Sequence, residues 1–224
     1  MQKRYFSVGE LCLWLGSALC IAVAFLLFDR TRYLTLLASL IGVTSLIFCA
    51  KGNPVGQVLM IIFSLLYGYI SLSFHYYGEM ITYIGMTLPM AAVSLVSWLR
   101  HPYRGNRAQV EVGRLRRGEW LFLLLLTTAV TTAFYYILAT FHTANLLPST
   151  ISVTTSFIAA YLTFRRSPYY ALAYAANDVV LIVLWTLASL KDAAYVSVLI
   201  CFVMFLLNDM YGFICWRRMQ QAQS

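Results

Sequence analysis

The chain has 224 residues, 61% of them apolar and 11% charged, with a net charge of +8; soluble domains carry about 45–50% apolar and about 25% charged residues. Sixteen basic and eight acidic side chains cannot cover a water-soluble surface of this size, so a soluble domain, a disordered chain and a collagen-like fibre are all excluded. The solvent for most of the chain is lipid, and the surplus of positive charge reads as an orientation signal rather than a nucleic-acid footprint.

At about 20 apolar residues per crossing, the sequence predicts eight spans. Span 1, residues 11–29, is longer than the apolar core of a signal peptide and lacks a small-x-small cleavage site, so it is retained as a helix. It ends at Asp29-Arg30-Thr31-Arg32. Span 2, residues 34–50, is closed by Lys51-Gly52-Asn53-Pro54, and Pro54 opens span 3, residues 55–75, where a missing N–H costs nothing. Tyr77-Gly78-Glu79 bounds span 4, residues 80–98, in which Thr87-Leu88-Pro89 places a kink near the middle. An arginine-rich loop, 100–117, leads to span 5, residues 120–141. Span 6, residues 147–164, starts on the hydroxyl-rich run from Pro148 to Ser156. Pro168 opens span 7, residues 168–190, and Lys191-Asp192 divides it from span 8, residues 193–216.

Basic residues test this count. With the N-terminus in the cytoplasm, thirteen of them fall inside: Lys3, Arg4, Lys51, Arg100, Arg104, Arg107, Arg114, Arg116, Arg117, Arg165, Arg166, Arg217 and Arg218. Only Arg30, Arg32 and Lys191 fall outside. This bias predicts eight spans with both termini cytoplasmic, because one helix more or fewer would scramble the alternation. The cysteines, Cys12, Cys20, Cys49, Cys201 and Cys215, show no paired spacing and read as small packing residues.

The two halves echo each other. Lys51-Gly52-Asn53-Pro54 is matched 114 residues later by Arg165-Arg166-Ser167-Pro168, and Ser97-Trp98-Leu99-Arg100 is matched 118 later by Cys215-Trp216-Arg217-Arg218. Spans 2–4 and 6–8 then form two three-helix units of the same orientation, with span 5 as the linker that parallel repeats require and span 1 outside the symmetry. The predicted fold class is an all-α integral membrane protein of eight helices in a 1+3+1+3 order. Its segments are an N-terminal helix (1–33), repeat A (34–99), a basic loop with linker helix (100–142) and repeat B (143–224). Parallel repeats of this kind are a transporter architecture, with substrate bound between them near the midplane.

Two carboxylates fall well inside the spans, Asp178 in span 7 and Asp209 in span 8, each preceded by an asparagine and neither with a basic residue at its depth. Intramembrane ionisable groups point to function. At steps of three or four, Tyr170, Tyr174, Asn177, Asp178, Leu181 and Trp185 share one face of span 7. Aromatic planes beside an amide and a carboxylate suit a flat ring bearing hydroxyls. The plain alternative makes Tyr170 and Trp185 interfacial belt residues, with only the Asn-Asp pair buried. Candidates facing this surface from the other repeat are Gln57, Ser64, Tyr67 and Tyr69, with Gln57 near the cytoplasmic end and Tyr67 deeper. His75, His101 and His142 sit at span edges without ligand spacing, no phosphate-binding GxxxxGK[ST] loop is present, and no lysine stands inside a late helix to hold retinal. A metal-dependent enzyme, an ATP-driven pump and a retinal protein are thereby set aside, and no cofactor or catalytic residue is expected.

Five segments then carry a resemblance: Lys51 to Gln57, Tyr76 to Tyr83, Thr143 to Thr155, Tyr169 to Asp178 and Asn208 to Phe213. Together they resemble the PnuC family of bacterial nicotinamide riboside transporters, from about residue 34 to the C-terminus. The resemblance implies a full-length relative of the SWEET sugar-transporter fold in the bacterial inner membrane. It also implies facilitated diffusion of a pyridine nucleoside that a cytosolic nicotinamide riboside kinase traps as its phosphate, and a homo-oligomer. One departure stands out. Where the family carries tryptophans at three-residue spacing on the helix matching span 7, this chain has Tyr170 and Ala173 ahead of the matching Asn177. The expected substrate site is Tyr170, Tyr174 and Tyr67 for the ring, with Asn177, Asp178, Asn208 and Gln57 for the polar groups; Asp178 would also offset a pyridinium charge. Thiamine and deoxyribonucleosides are the competing substrates, proton coupling through Asp178 a competing mechanism, and a receptor or scaffold the competing class.

Overall fold

In the computed structural model, which describes residues 5–73, 77–143 and 145–224, eight helices are long and apolar enough to cross a membrane. They are α1 (Val8–Phe28), α2 (Tyr33–Ala50), α3 (Val55–Ser73), α4 (Tyr77–Arg100), α5 (Arg117–Thr140), α6 (Leu146–Phe164), α7 (Tyr169–Ser189) and α8 (Ala193–Gln223). The chain is an all-α membrane protein of eight spans. Lys3, Arg4, His75 and Tyr76 lie outside the described residues.

Local chemistry sets the helix ends. At the start of α1, Ser7 and Glu10 form a reciprocal capping box: the Glu10 amide donates to Ser7 Oγ at 3.2 Å and the Ser7 amide to Glu10 Oε2 at 2.7 Å. Helix α2 stops where Gly52 takes a φ of +66° and the Asn53 amide donates back to the Phe48 carbonyl at 3.0 Å. At the end of α6, Arg166 takes a φ of +57° and the Ser167 amide donates to the Leu162 carbonyl at 2.9 Å. These are the same left-handed termination 114 residues apart. The next side chain caps the following helix in both places, Asn53 Oδ1 accepting from the Val55 amide at 2.9 Å and Ser167 Oγ from the Tyr169 amide at 3.4 Å.

Several boundaries differ from the sequence expectation, α1 starting at Val8 rather than 11 and α5 at Arg117 rather than 120. Helix α4 begins at Tyr77 rather than 80, and α8 continues past 216 to Gln223 as an amphipathic tail. The expected loop 100–117 contains a hairpin of β1 (Pro102–Tyr103) and β2 (Asn106–Val110). Its two-residue turn, Arg104-Gly105, has φ of +50° and +78°, the left-handed pair that matches strand twist. One turn before Pro89, where a kink was expected, the helix contains a π-helical stretch, Tyr83–Thr87, and the Leu88 amide donates to the Tyr83 carbonyl.

Helix α8 is central and packs on α7, α2 and α1; α2 packs on α3, α7 on α6, and α4 on both α3 and α6. The cross-contacts α2 with α8 and α6 with α4 are counterparts of one another. Helices α1 and α5 are peripheral. Among the residues of α5, only Leu123, Thr127 and Leu138 are buried.

Candidate functional site

One end of the bundle carries Lys51, Arg100, Arg165 and Arg217, and on this basic face the two three-helix units are latched together. Trp98, near the end of α4, donates its Nε1–H to the Thr163 carbonyl at 2.9 Å. Trp216, in α8, donates its Nε1–H to the Cys49 carbonyl at 2.8 Å. Both indoles are buried, their ring centroids 5.4 Å apart. Tyr170 packs edge-on against Trp216 at 5.0 Å and Tyr174 lies 6.2 Å from Tyr170. Tyr170 is 3% exposed and Trp185 1% exposed, so the interfacial-belt alternative for these two residues is corrected: both belong to the interior. They sit on the inward face of α7, whose period aligns them with Asn177 and Asp178.

Deeper in, Asn177 on α7 is held by α6. Its Oδ1 accepts from Thr155 Oγ1 at 2.9 Å and from Ser152 Oγ at 3.2 Å. The hydroxyl-rich start of span 6 thus aims the amide, leaving its NH2 group uncommitted to those bonds. The carboxyl groups of Asp178 on α7 and Asp209 on α8 lie within hydrogen-bonding reach of each other, both residues buried. Asp178 Oδ2 receives no N–H or O–H donor among the described residues.

Towards the opposite face, an aromatic cluster closes the bundle. Tyr67 on α3 lies 4.4 Å from Tyr83 on α4, 5.9 Å from Phe202 on α8 and 6.3 Å from Trp185 on α7, drawing on both units. The Tyr67 hydroxyl is buried on the side of the Trp185 indole. The polar layer of Asn177, Asp178 and Asp209 therefore lies between two aromatic layers.

The remaining expected residues are dispersed. Gln57, in the first turn of α3, is buried, and its Nε2 points at Cys49 Sγ, 3.4 Å away, where α2 and α3 approach closely at Gly56. Ser64 is buried with its hydroxyl donated to the Met60 carbonyl. Tyr69 is 62% exposed on the outer surface of α3, a correction with a simple cause: two residues along a helix turn a side chain to the far face from Tyr67. Asn208 donates its Nδ2 to Ser17 Oγ at 2.9 Å and to the Met204 carbonyl at 2.8 Å, tying α1 to α8, while its Oδ1 is buried without a donor among the described residues.

Two acidic residues escaped sequence reasoning. Glu10 is buried, paired with Lys51 Nζ at 3.0 and 3.1 Å, and accepts from Tyr211 Oη at 3.1 Å. Glu79 is 3% exposed inside α4, its Oε2 without a donor among the described residues. The capping-box spacing Ser7-x-x-Glu10 was legible; Glu79 was hidden by its place beside the Gly78 turn signal. Outside the helices, burial pushes the Asp29 carboxyl above its usual range, and Arg32, 3.8 Å away, opposes the shift. The described residues contain no group of three or more His, Cys, Asp or Glu arranged to hold a metal.

A family model described as nicotinamide mononucleotide transporter matches residues 32–218. A protein of Neisseria mucosa named nicotinamide riboside transporter PnuC is 26% identical over 217 residues, which is 94% of this chain and 82% of the relative. The fold is similar to a solved structure described as the crystal structure of the vitamin B3 transporter PnuC, with a TM-score of 0.85 at 24% identity, covering 98% of this chain and 94% of that one.

Proposed function

The chain belongs to the nicotinamide mononucleotide transporter family, and from that premise we propose that it carries nicotinamide riboside, rather than the mononucleotide, by passive alternating access. The observation behind the choice is the sign of the buried layer. Asp178 and Asp209 are interior carboxyls, whereas every described Lys, Arg and His lies outside the helices, at their termini or in the basic tail of α8. A phosphate monoester would enter that layer with like charge and no cation to receive it. A riboside brings only hydroxyls, a carboxamide and a pyridinium ring. In this reading Asn177 binds the carboxamide or ribose, Tyr170, Tyr174 and Tyr67 bound the ring, and Gln57 and Asn208 support the site from its two sides.

The wider reading divides the chain into an N-terminal helix, two three-helix repeats and a linker helix, set in a bacterial inner membrane with the basic face cytoplasmic. A cytosolic riboside kinase supplies direction by phosphorylating what arrives. Relatives of this architecture assemble, and a homo-oligomer is the expected form. Uptake into liposomes holding the purified protein tests the substrate and the mechanism. Saturable riboside uptake that equilibrates without an imposed pH gradient is the expected result. Preference for the mononucleotide would overturn the substrate, and accumulation driven by a pH gradient would replace passive diffusion with proton coupling. The tyrosine and alanine at 170 and 173, where relatives of this family carry indoles, make thiamine and deoxyribonucleosides the comparison substrates in the same assay.

A further inference from the structure

We propose that Asp178 and Asp209 act as one acidic unit that selects a positively charged ring over a neutral one, so that charge as well as shape determines what this carrier binds. The inference rests on the reading that a pyridine riboside is the substrate, and deepens it by assigning Asp209, with Asp178, to specificity.

The two carboxyls come from adjacent helices, α7 and α8, meet within hydrogen-bonding reach, and are 3% and 4% exposed. A cation bound beside two buried carboxyl groups favours their ionised form. No described protein cation does so, because the described basic side chains lie at or beyond the helix ends or in the tail of α8. Asp178 Oδ2 is buried without a donor among the described residues. An uncompensated charge at this depth is costly, and a cation entering from water would offset that cost.

The surroundings narrow the kind of cation. Tyr174 stands one helical turn before Asp178 on α7, and Tyr83 on α4 lies tilted against Tyr67 with ring centroids 4.4 Å apart. Electron-rich ring faces beside a carboxylate suit a flat cation whose charge is spread over an aromatic ring, better than a compact ammonium or metal ion that would demand a shell of oxygens. The neutral polar work of recognition already has a holder in Asn177, oriented by Thr155 and Ser152. Charge and hydrogen bonding are thus assigned to different residues.

The test compares nicotinamide riboside with its 1,4-dihydro form, which keeps the ring, carboxamide and ribose but carries no ring charge. In proteoliposomes the protein should take up the cation with a KM at least about tenfold below that of the neutral form. Asp178→Asn and Asp209→Asn, each close to isosteric, should shrink that preference about tenfold, with the loss falling on the cation. Cooperative thermal unfolding of each variant in detergent, like that of the parent, reports that it is folded. A protein that prefers the neutral form, or variants that keep the original preference, would overturn the inference while leaving riboside transport standing. Failure to transport either compound would overturn the transport reading itself.

Discussion

Asn177 illustrates how a single side chain is made specific by its neighbours. Two hydroxyls of α6 donate to its carbonyl oxygen, fixing which end of the amide faces the site. Thr155→Val removes one of these bonds, worth about 1 kcal/mol, and should raise the riboside KM several-fold with little change in thermal stability. Asn177→Ala should raise it more, about tenfold or beyond, and a KM unchanged in both variants in the liposome assay would remove the amide from the site. The sequence placed Asn177 and Asp178 on one face because helical period is reliable over two turns. It misplaced Tyr69, since Tyr67 and Tyr69 are chemically alike and only the phase of α3 separates an interior tyrosine from a lipid-facing one. The burial of Trp185 was equally illegible, because an indole near a span end reads the same whether it meets headgroups or a neighbouring helix.

At the scale of elements, the most informative helix is α4. Pro89 lacks the N–H that a regular helix needs, and the preceding Tyr83–Thr87 stretch widens to π geometry, with Thr87 Oγ1 also reaching the Thr82 carbonyl at 3.3 Å. Such a widened turn is where a helix bends with least loss of hydrogen bonding. Pro89→Ala should straighten α4, stabilise the protein in detergent by about 1 kcal/mol or more, and slow riboside uptake. An unchanged melting temperature together with an unchanged rate would show that the widened turn does not depend on the proline. Helix ends were readable from their caps, Pro54 and Pro168 above all. The hairpin at 102–110 was not, since its turn is an Arg-Gly pair inside a run of six arginines, where charge dominates every pattern the sequence offers. Gly52→Ala tests the left-handed cap: a Cβ there would press on Val110 Cγ1 at 3.2 Å and Met219 Sδ at 3.3 Å at a φ of +66°. The expected cost is about 1–2 kcal/mol in thermal unfolding.

Across the whole molecule, one kind of bond recurs at matching places in the two halves of the chain. Trp98 and Trp216 stand 118 residues apart, and the carbonyls they engage, Cys49 and Thr163, stand 114 apart. Each unit closes on the other by the same bond. Trp98→Phe and Trp216→Phe each delete one indole N–H while keeping an aromatic ring, and should cost comparable amounts, about 1 kcal/mol each. The double variant should depart from additivity because the two rings touch. Markedly unequal single effects, measured by thermal unfolding, would show that the symmetry is geometric but not energetic. The eight spans were legible because charges and cap residues mark the helix ends. The pairing between units was not, since an indole donating to a backbone carbonyl leaves no trace in the identity of its acceptor.

The same two turns are joined by the connecting segment between the units. The Val110 amide donates to the Gly52 carbonyl and the Gly113 amide to the Arg166 carbonyl, each at 2.9 Å, and Gln223 at the end of α8 bonds both the Val112 amide and the Val110 carbonyl. Three peptide units separate Val110 from Gly113, a reach of about 10 Å when fully drawn out. While both bonds hold, the segment is a strap of fixed length: under the alternating access proposed above, the halves would part on the basic face only until it is taut, and a wider stroke would first have to release one end.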